Sequence, residues 1–174
     1  CSSLVTCHSS LIMLEHATLL LHEWKADGAA WARSITDGAG QPLGCVRLES
    51  DPRTFWFSWL RRVKLDIFET DDASHLMTMT RSWSMLGIWE VEDAEARAVG
   101  TIYACSIVSS EGHRLALVER ANPAIRLLNE LDQVLATVSN KGPVEITFAP
   151  GEANPFLRML LLGYAIAQTP LPSR

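Results

Sequence analysis

A short frame recurs five times along this chain and restricts its fold more than any other feature. Ile35-Thr36-Asp37, five residues and then Leu43-Gly44 make one copy. Val91-Glu92-Asp93, five residues and then Val99-Gly100 repeat it at identical internal spacing. Phe68-Glu69-Thr70 to Leu76-Met77, Ile107-Val108-Ser109 to Leu115-Ala116, and Leu127-Leu128-Asn129 to Leu135-Ala136 are looser copies. Each reads as an apolar residue, a spacer, a small polar turn-former, a mostly polar stretch and a returning apolar run. Asp, Asn, Ser and Thr bond their own backbone and so favour chain reversal. A strand, a short polar reversal and a returning strand make a hairpin. Serial hairpins predict one antiparallel sheet system.

The rest of the chain fills in around that sheet. Residues 1–17 read as a flexible N-terminal segment and 18–174 as a single domain. Leu11 to Trp24 carries both helical and strand spacing, and a strand from about Thr18 to Trp24 is favoured. Leu76, Thr78 and Thr80 alternate with Met77 and Met79, so the methionines share one face. Asn122-Pro123 resembles a helix start. Val144, Ile146 and Phe148 alternate as a strand, however, and a strand over Val134–Val138 pairs naturally with it. Asn154-Pro155 is a second cap-and-first-turn pair, and Phe156 to Gln168 follows with good helix formers and no proline. This run is apolar on nearly every side, which calls for burial on every side. Thirteen residues at ~1.5 Å each give ~20 Å, short of the ~30 Å hydrocarbon core of a bilayer. One open sheet covers a single face of a helix, whereas a closed barrel covers all of them. Eight strands leave room only for side chains or a small ligand; about ten to twelve make room for a helix. The expected fold is therefore mainly β: a closed antiparallel barrel of about twelve strands around a buried hydrophobic C-terminal helix.

Composition removes several functions. The chain has 174 residues and a net charge of −5. That balance argues against nucleic acid, whose phosphates need clustered excess Lys and Arg. None of Cys1, Cys7, Cys45 and Cys105 forms a CxxC pair, so no zinc knuckle is expected. Cys45 and Cys105 lie in apolar strand contexts and read as small buried hydrophobes in a reducing compartment. The chain opens on Cys1 rather than Met, which reads as a fragment or a processed product. His8, His16, His22, His75 and His113 show no metal spacing and read as surface or satisfied residues. No nucleophile elbow, P-loop or dinucleotide fingerprint occurs, and no cofactor is implied. Asp71-Asp72 and the Glu90, Glu92, Asp93, Glu95 group read as solvated loops. Arg81 reads as a structural contact at a turn, with anion binding as the alternative.

Several segments together resemble the tubby-like superfamily, in the branch shared by phospholipid scramblases and LURP-one-related proteins. They are Ile35 to Gly44, Leu65-Asp66-Ile67-Phe68-Glu69, Met77 to Arg81, Trp89 to Asp93 with Val99-Gly100, and the terminal Phe156 to Gln168 run. The likeness covers roughly Thr18 to Gln168. It implies a twelve-stranded barrel around a C-terminal helix, no shared enzymatic activity, and binding of lipid headgroups or a membrane surface. There is no cysteine-rich palmitoylation run and no acidic calcium-binding segment, which argues against calcium-triggered lipid scrambling.

The segment from Arg53 to Lys64 is the candidate contact. It mixes cations with aromatic rings and contains no acid. Rings suit the bilayer interface, and Arg or Lys attracts anionic headgroups. Arg53, Trp56, Trp59, Arg61, Arg62 and Lys64 are the residues assigned to it. The plainer reading is a wall segment whose rings pack on the barrel. The expected partner is an anionic phospholipid or membrane surface, and the expected location is cytoplasmic and peripheral to a membrane. A barrel with a small-molecule or hydrolytic site in its mouth, and a protein-interaction scaffold, are the alternatives.

Overall fold

In a computed structural model, residues 12–28, 30–49, 63–70, 74–81, 87–139, 142–151 and 154–172 are described. A helical turn, α1 (Ile12–Glu15), leads into β1 (Thr18–Leu21), β2 (Lys25–Asp27), β3 (Ala30–Asp37) and β4 (Pro42–Glu49). Then come β5 (Val63–Glu69), β6 (His75–Arg81), β7 (Trp89–Asp93), β8 (Ala98–Ile102) and β9 (Ser106–Ser109). The sheet finishes with β10 (Arg114–Ala121), β11 (Ala124–Leu128), β12 (Val134–Ser139) and β13 (Val144–Phe148), and the helix α2 (Pro155–Ala167) follows. From β3 to β13 every strand pairs antiparallel with its sequence neighbour. The ring closes through β1, which pairs with β13 on one side and with the last residues of β3 on the other. Twelve strands thus form a closed barrel, and the short β2 adds along the first residues of β3.

The recurring frame is a single turn used four times. Asp37, Asp93, Ser109 and Asn129 each pair their backbone N–H with the carbonyl four residues on. Each side chain also accepts from that residue's N–H: Gln41, Arg97, His113 and Asn129's partner Gln133. The fourth residue of each turn takes a positive φ: Gly40 at 84°, Ala96 at 59°, Gly112 at 86° and Asp132 at 57°. A type I turn closed by a left-handed residue is the usual three-residue hairpin loop, and it brings the bulge seen in each of these strand pairs. The β5–β6 hairpin is one residue longer, closing from Glu69 N–H to the Ser74 carbonyl.

α2 fills the interior. Asn154 Oδ1 accepts from the Phe156 and Leu157 amides, and Pro155 sits in the first turn, as the sequence predicts. Met159 through Ile166 are all buried. Successive helical residues turn by 100°, so this run of more than two turns has no solvent-facing side. The two frame glycines make room for helix side chains. A Cβ on Gly100 would stand 2.3 Å from the Val108 carbonyl oxygen and 3.1 Å from Leu160 Cδ1. A Cβ on Gly44 would stand 2.3 Å from the Phe68 carbonyl oxygen and 3.1 Å from Met13 Sδ. Met77 and Met79 face the interior, as their alternation predicts, and the Thr78 hydroxyl reaches Asp66 on the outside.

Some expectations need correction. Met13 and Leu14 belong to the core, because α1 closes one end of the barrel. Cys105 is exposed and Cys45 is only half-buried, so neither is a buried hydrophobe. β8 stops at Ile102, and Tyr103 N–H bonds the Ser106 carbonyl to start the next reversal, which leaves Cys105 in a bend. Asn122-Pro123 starts no helix; it forms the two-residue reversal between Ala121 and Ala124, in line with the favoured strand reading. Glu90 and Glu92 stand on the exposed side of β7 rather than in a loop, and Asp93 is buried within its turn.

Candidate functional site

The antiparallel order gives the barrel two unlike rims. The five-residue turns, α1 and the start of α2 all lie at one, here the turn rim. The ends of β4, β6, β8, β10 and β12 lie at the other, where α2 ends; this is the far rim. The turn rim carries Glu92, Asp93, Glu95, Glu111, Glu130 and Asp132, countered by Arg97, Arg114 and Arg158. Arg97 is committed locally, at 2.7 Å from both Asp93 and Glu95.

The far rim is built around an inward arginine. β3 alternates so that Arg33 shares the inner face with Ile35, and only 4% of Arg33 is exposed. Its Nη1 donates to Thr169 Oγ1 at 2.6 Å, and that hydroxyl donates to the Ile166 carbonyl at 2.6 Å. Arg33 thus meets the negative end of the α2 dipole. The Trp24 ring covers the guanidinium at 5.4 Å, and Trp24 Nε1 donates to the Pro170 carbonyl at 3.1 Å. Burial lowers the Arg33 pKa to about 10. Arg81, at the end of β6, stacks on Trp89 at 5.5 Å across the strand pair, and burial lowers its pKa as well. Among the described residues neither guanidinium has a carboxylate partner. Arg81 makes the structural contact expected of it, though with a ring and not a turn.

Of the candidate contact residues, Lys64 alone is described. It sits on β5, half-exposed, with its Nζ 3.2 Å from Asp66 Oδ2. Arg53, Trp56, Trp59, Arg61 and Arg62 lie outside the described residues, as do Asp71 and Asp72. Their segment joins the end of β4 to the start of β5, and both of those ends lie at the far rim. Arg33, Trp24 and Thr169 escape a motif search. A period-two count from Ile35 is the signal that places Arg33 inside.

One cluster on the outer wall has the group types of a hydrolytic site. Thr78 Oγ1 donates to Asp66 Oδ1 at 2.8 Å and lies 3.1 Å from His75 Nε2, which is 3.6 Å from the same carboxylate oxygen. With the Thr78 proton given to Asp66, His75 Nε2 must donate to the hydroxyl rather than accept from it. The imidazole is therefore not the base that takes the hydroxyl proton, and the trio ties two strands together. Among the described residues no three His, Cys, Asp or Glu side chains converge to hold a metal ion. No described helix is long and apolar enough to cross a membrane. The chain matches no protein-family model, no curated protein and no solved structure.

Proposed function

We propose that this is a non-enzymatic barrel of tubby-like and scramblase-like kind that docks its far rim on anionic phospholipid. The observation that carries this reading is the pair of arginines at the far rim. Arg33 and Arg81 stand there with no carboxylate partner among the described residues, while Glu23, Asp27, Glu90 and Glu145 lie at the same end without pairing to them. Arg33 is too buried to touch a headgroup and contributes only to the local field. Contact falls to Lys64 and to the basic, aromatic segment whose two ends meet this rim. A helix-filled interior supports a surface role over a ligand held inside. It also argues against the hydrolytic alternative, because the Thr78 trio lies on the outer wall.

Each basic residue near an anionic surface contributes about 1 kcal/mol, so Arg61, Arg62 and Lys64 together supply about 3 kcal/mol. That is on the order of 100-fold in affinity, and Trp56 and Trp59 would have to add inserted rings to hold the protein firmly. Sedimentation with phosphatidylserine- or phosphoinositide-containing vesicles tests this. The Arg61→Ala/Arg62→Ala/Lys64→Ala variant is expected to lose most binding, with phosphatidylcholine vesicles pelleting neither protein. Equal binding of wild type and variant to anionic vesicles would remove the proposal.

A further inference from the structure

The outer wall of the barrel is not uniform. Across β4 to β7 it is polar: Arg47 stands opposite Asp66, Asp66 opposite Thr78, and Thr78 opposite Glu92. Across β10 to β12 the same direction reads Leu117 opposite Leu128 and Leu128 opposite Val134. Leu117 and Leu128 are half-exposed and Val134 is 42% exposed, and none of the three packs against the core. Leu131, in the turn that joins β11 to β12, is 76% exposed and extends the stripe. Two residues along the strands, Glu119 stands opposite Arg126, with Oε2 and Nη1 3.6 Å apart and both side chains about half exposed.

We infer that this stripe is an isologous interface with a second copy of the chain, built on the β10–β11 hairpin. The charge pattern selects that occupant. Let a two-fold axis run parallel to the strands, between β10 and β11, in the plane of contact. It lays β10 on β11 of the second copy at equal height. Leu117 then covers Leu128 of the second copy, and Glu119 meets Arg126 of the second copy, each contact occurring twice. Apolar meets apolar and acid meets base throughout, which is the self-complementarity a two-fold interface requires. On the β4–β7 wall the apolar pair Cys45 and Phe68 is interrupted by His75 and lies under Arg47, whose guanidinium stacks on the Phe68 ring at 5.0 Å.

Sedimentation velocity from low micromolar to ~0.5 mM chain concentration tests the inference. The full chain is expected to approach twice its 19.2 kDa mass. Leu117→Lys and Leu128→Lys point away from the core, so they should keep the melting temperature within a few degrees and weaken association at least tenfold. Glu119→Arg alone should weaken it as well, by facing Arg126 of the second copy, and adding Arg126→Glu should restore it. A wild type that stays monomeric throughout, or a dimer that both lysine variants leave intact, would overturn the inference. So would a monomer that uses Leu117 and Leu128 to bind neutral phosphatidylcholine vesicles, which would assign the stripe to a bilayer.

Discussion

The two rims of this barrel are made by different means. At the turn rim one local device is repeated: a side chain that bonds its own turn, with a left-handed residue three positions on. Each copy is stabilised within five residues of itself. At the far rim nothing repeats. Arg33, Thr169, Trp24 and Pro170 come from distant parts of the chain and meet only when α2 is in place. Damage to a local device should therefore stay local, whereas damage to the assembled rim should loosen the helix inside the barrel.

The largest effect is expected at Arg33. Arg33→Ala removes a charge-assisted hydrogen bond and leaves a void, at a cost of about 2–4 kcal/mol. Arg33→Met keeps most of the volume and avoids burying a charge, so it should recover much of that loss. Denaturant titration of both variants separates volume from charge. Gly100→Ala comes next. Its Cβ would press on the Val108 carbonyl, a backbone atom that cannot swing away, and it should cost about 1–3 kcal/mol by the same measurement.

Effects at the turn rim should be smaller. Burial tends to raise the Asp93 pKa, but hydrogen bonds from the Arg97 backbone and side chain outweigh it and hold the carboxyl below its ordinary value. A depressed carboxylate stabilises the fold above its unfolded pKa, and that stability is lost as pH falls through the folded pKa. Asp93→Asn should thus cost about 1 kcal/mol at neutral pH, and progressively less in melts below about pH 4. Asn129 already fills the equivalent place in its own turn, so the turn itself should survive. The smallest change has the opposite sign. Ala96→Gly relieves a left-handed alanine and should stabilise by about 0.5–1 kcal/mol. That is about 1–4 °C in melting temperature for a chain of this size. Combined with Gly40→Ala, the two shifts should add, because the turns share no contacts.

The same contrast explains what the sequence reveals. Asp37, Asp93, Ser109 and Asn129 act on neighbours four residues away, so spacing alone exposes the turns and, through them, the hairpins and the barrel. α2 is legible because its cap, its proline and its all-round apolar run are contiguous. α1 is a single helical turn whose reasons are remote: Met13 N–H bonds buried Glu69 Oε1, and the Leu14 carbonyl accepts from Arg158. Arg33 looks like any strand arginine until Ile35 fixes the inner face. Cys105 misleads because an apolar run continues past Ile102, where pairing stops. The candidate lipid contact is legible only as composition, since its cations and rings form no periodic pattern.

The central claim is that α2 is walled in on all sides by a closed barrel. Native-state hydrogen exchange of the Leu160 to Ala165 amides tests it. The account predicts exchange only through global unfolding, as slow as the slowest amides of β5 and β8. Exchange of those helical amides far ahead of the strands, with the sheet intact, would mean that α2 leaves its place without the barrel opening, and would contradict it.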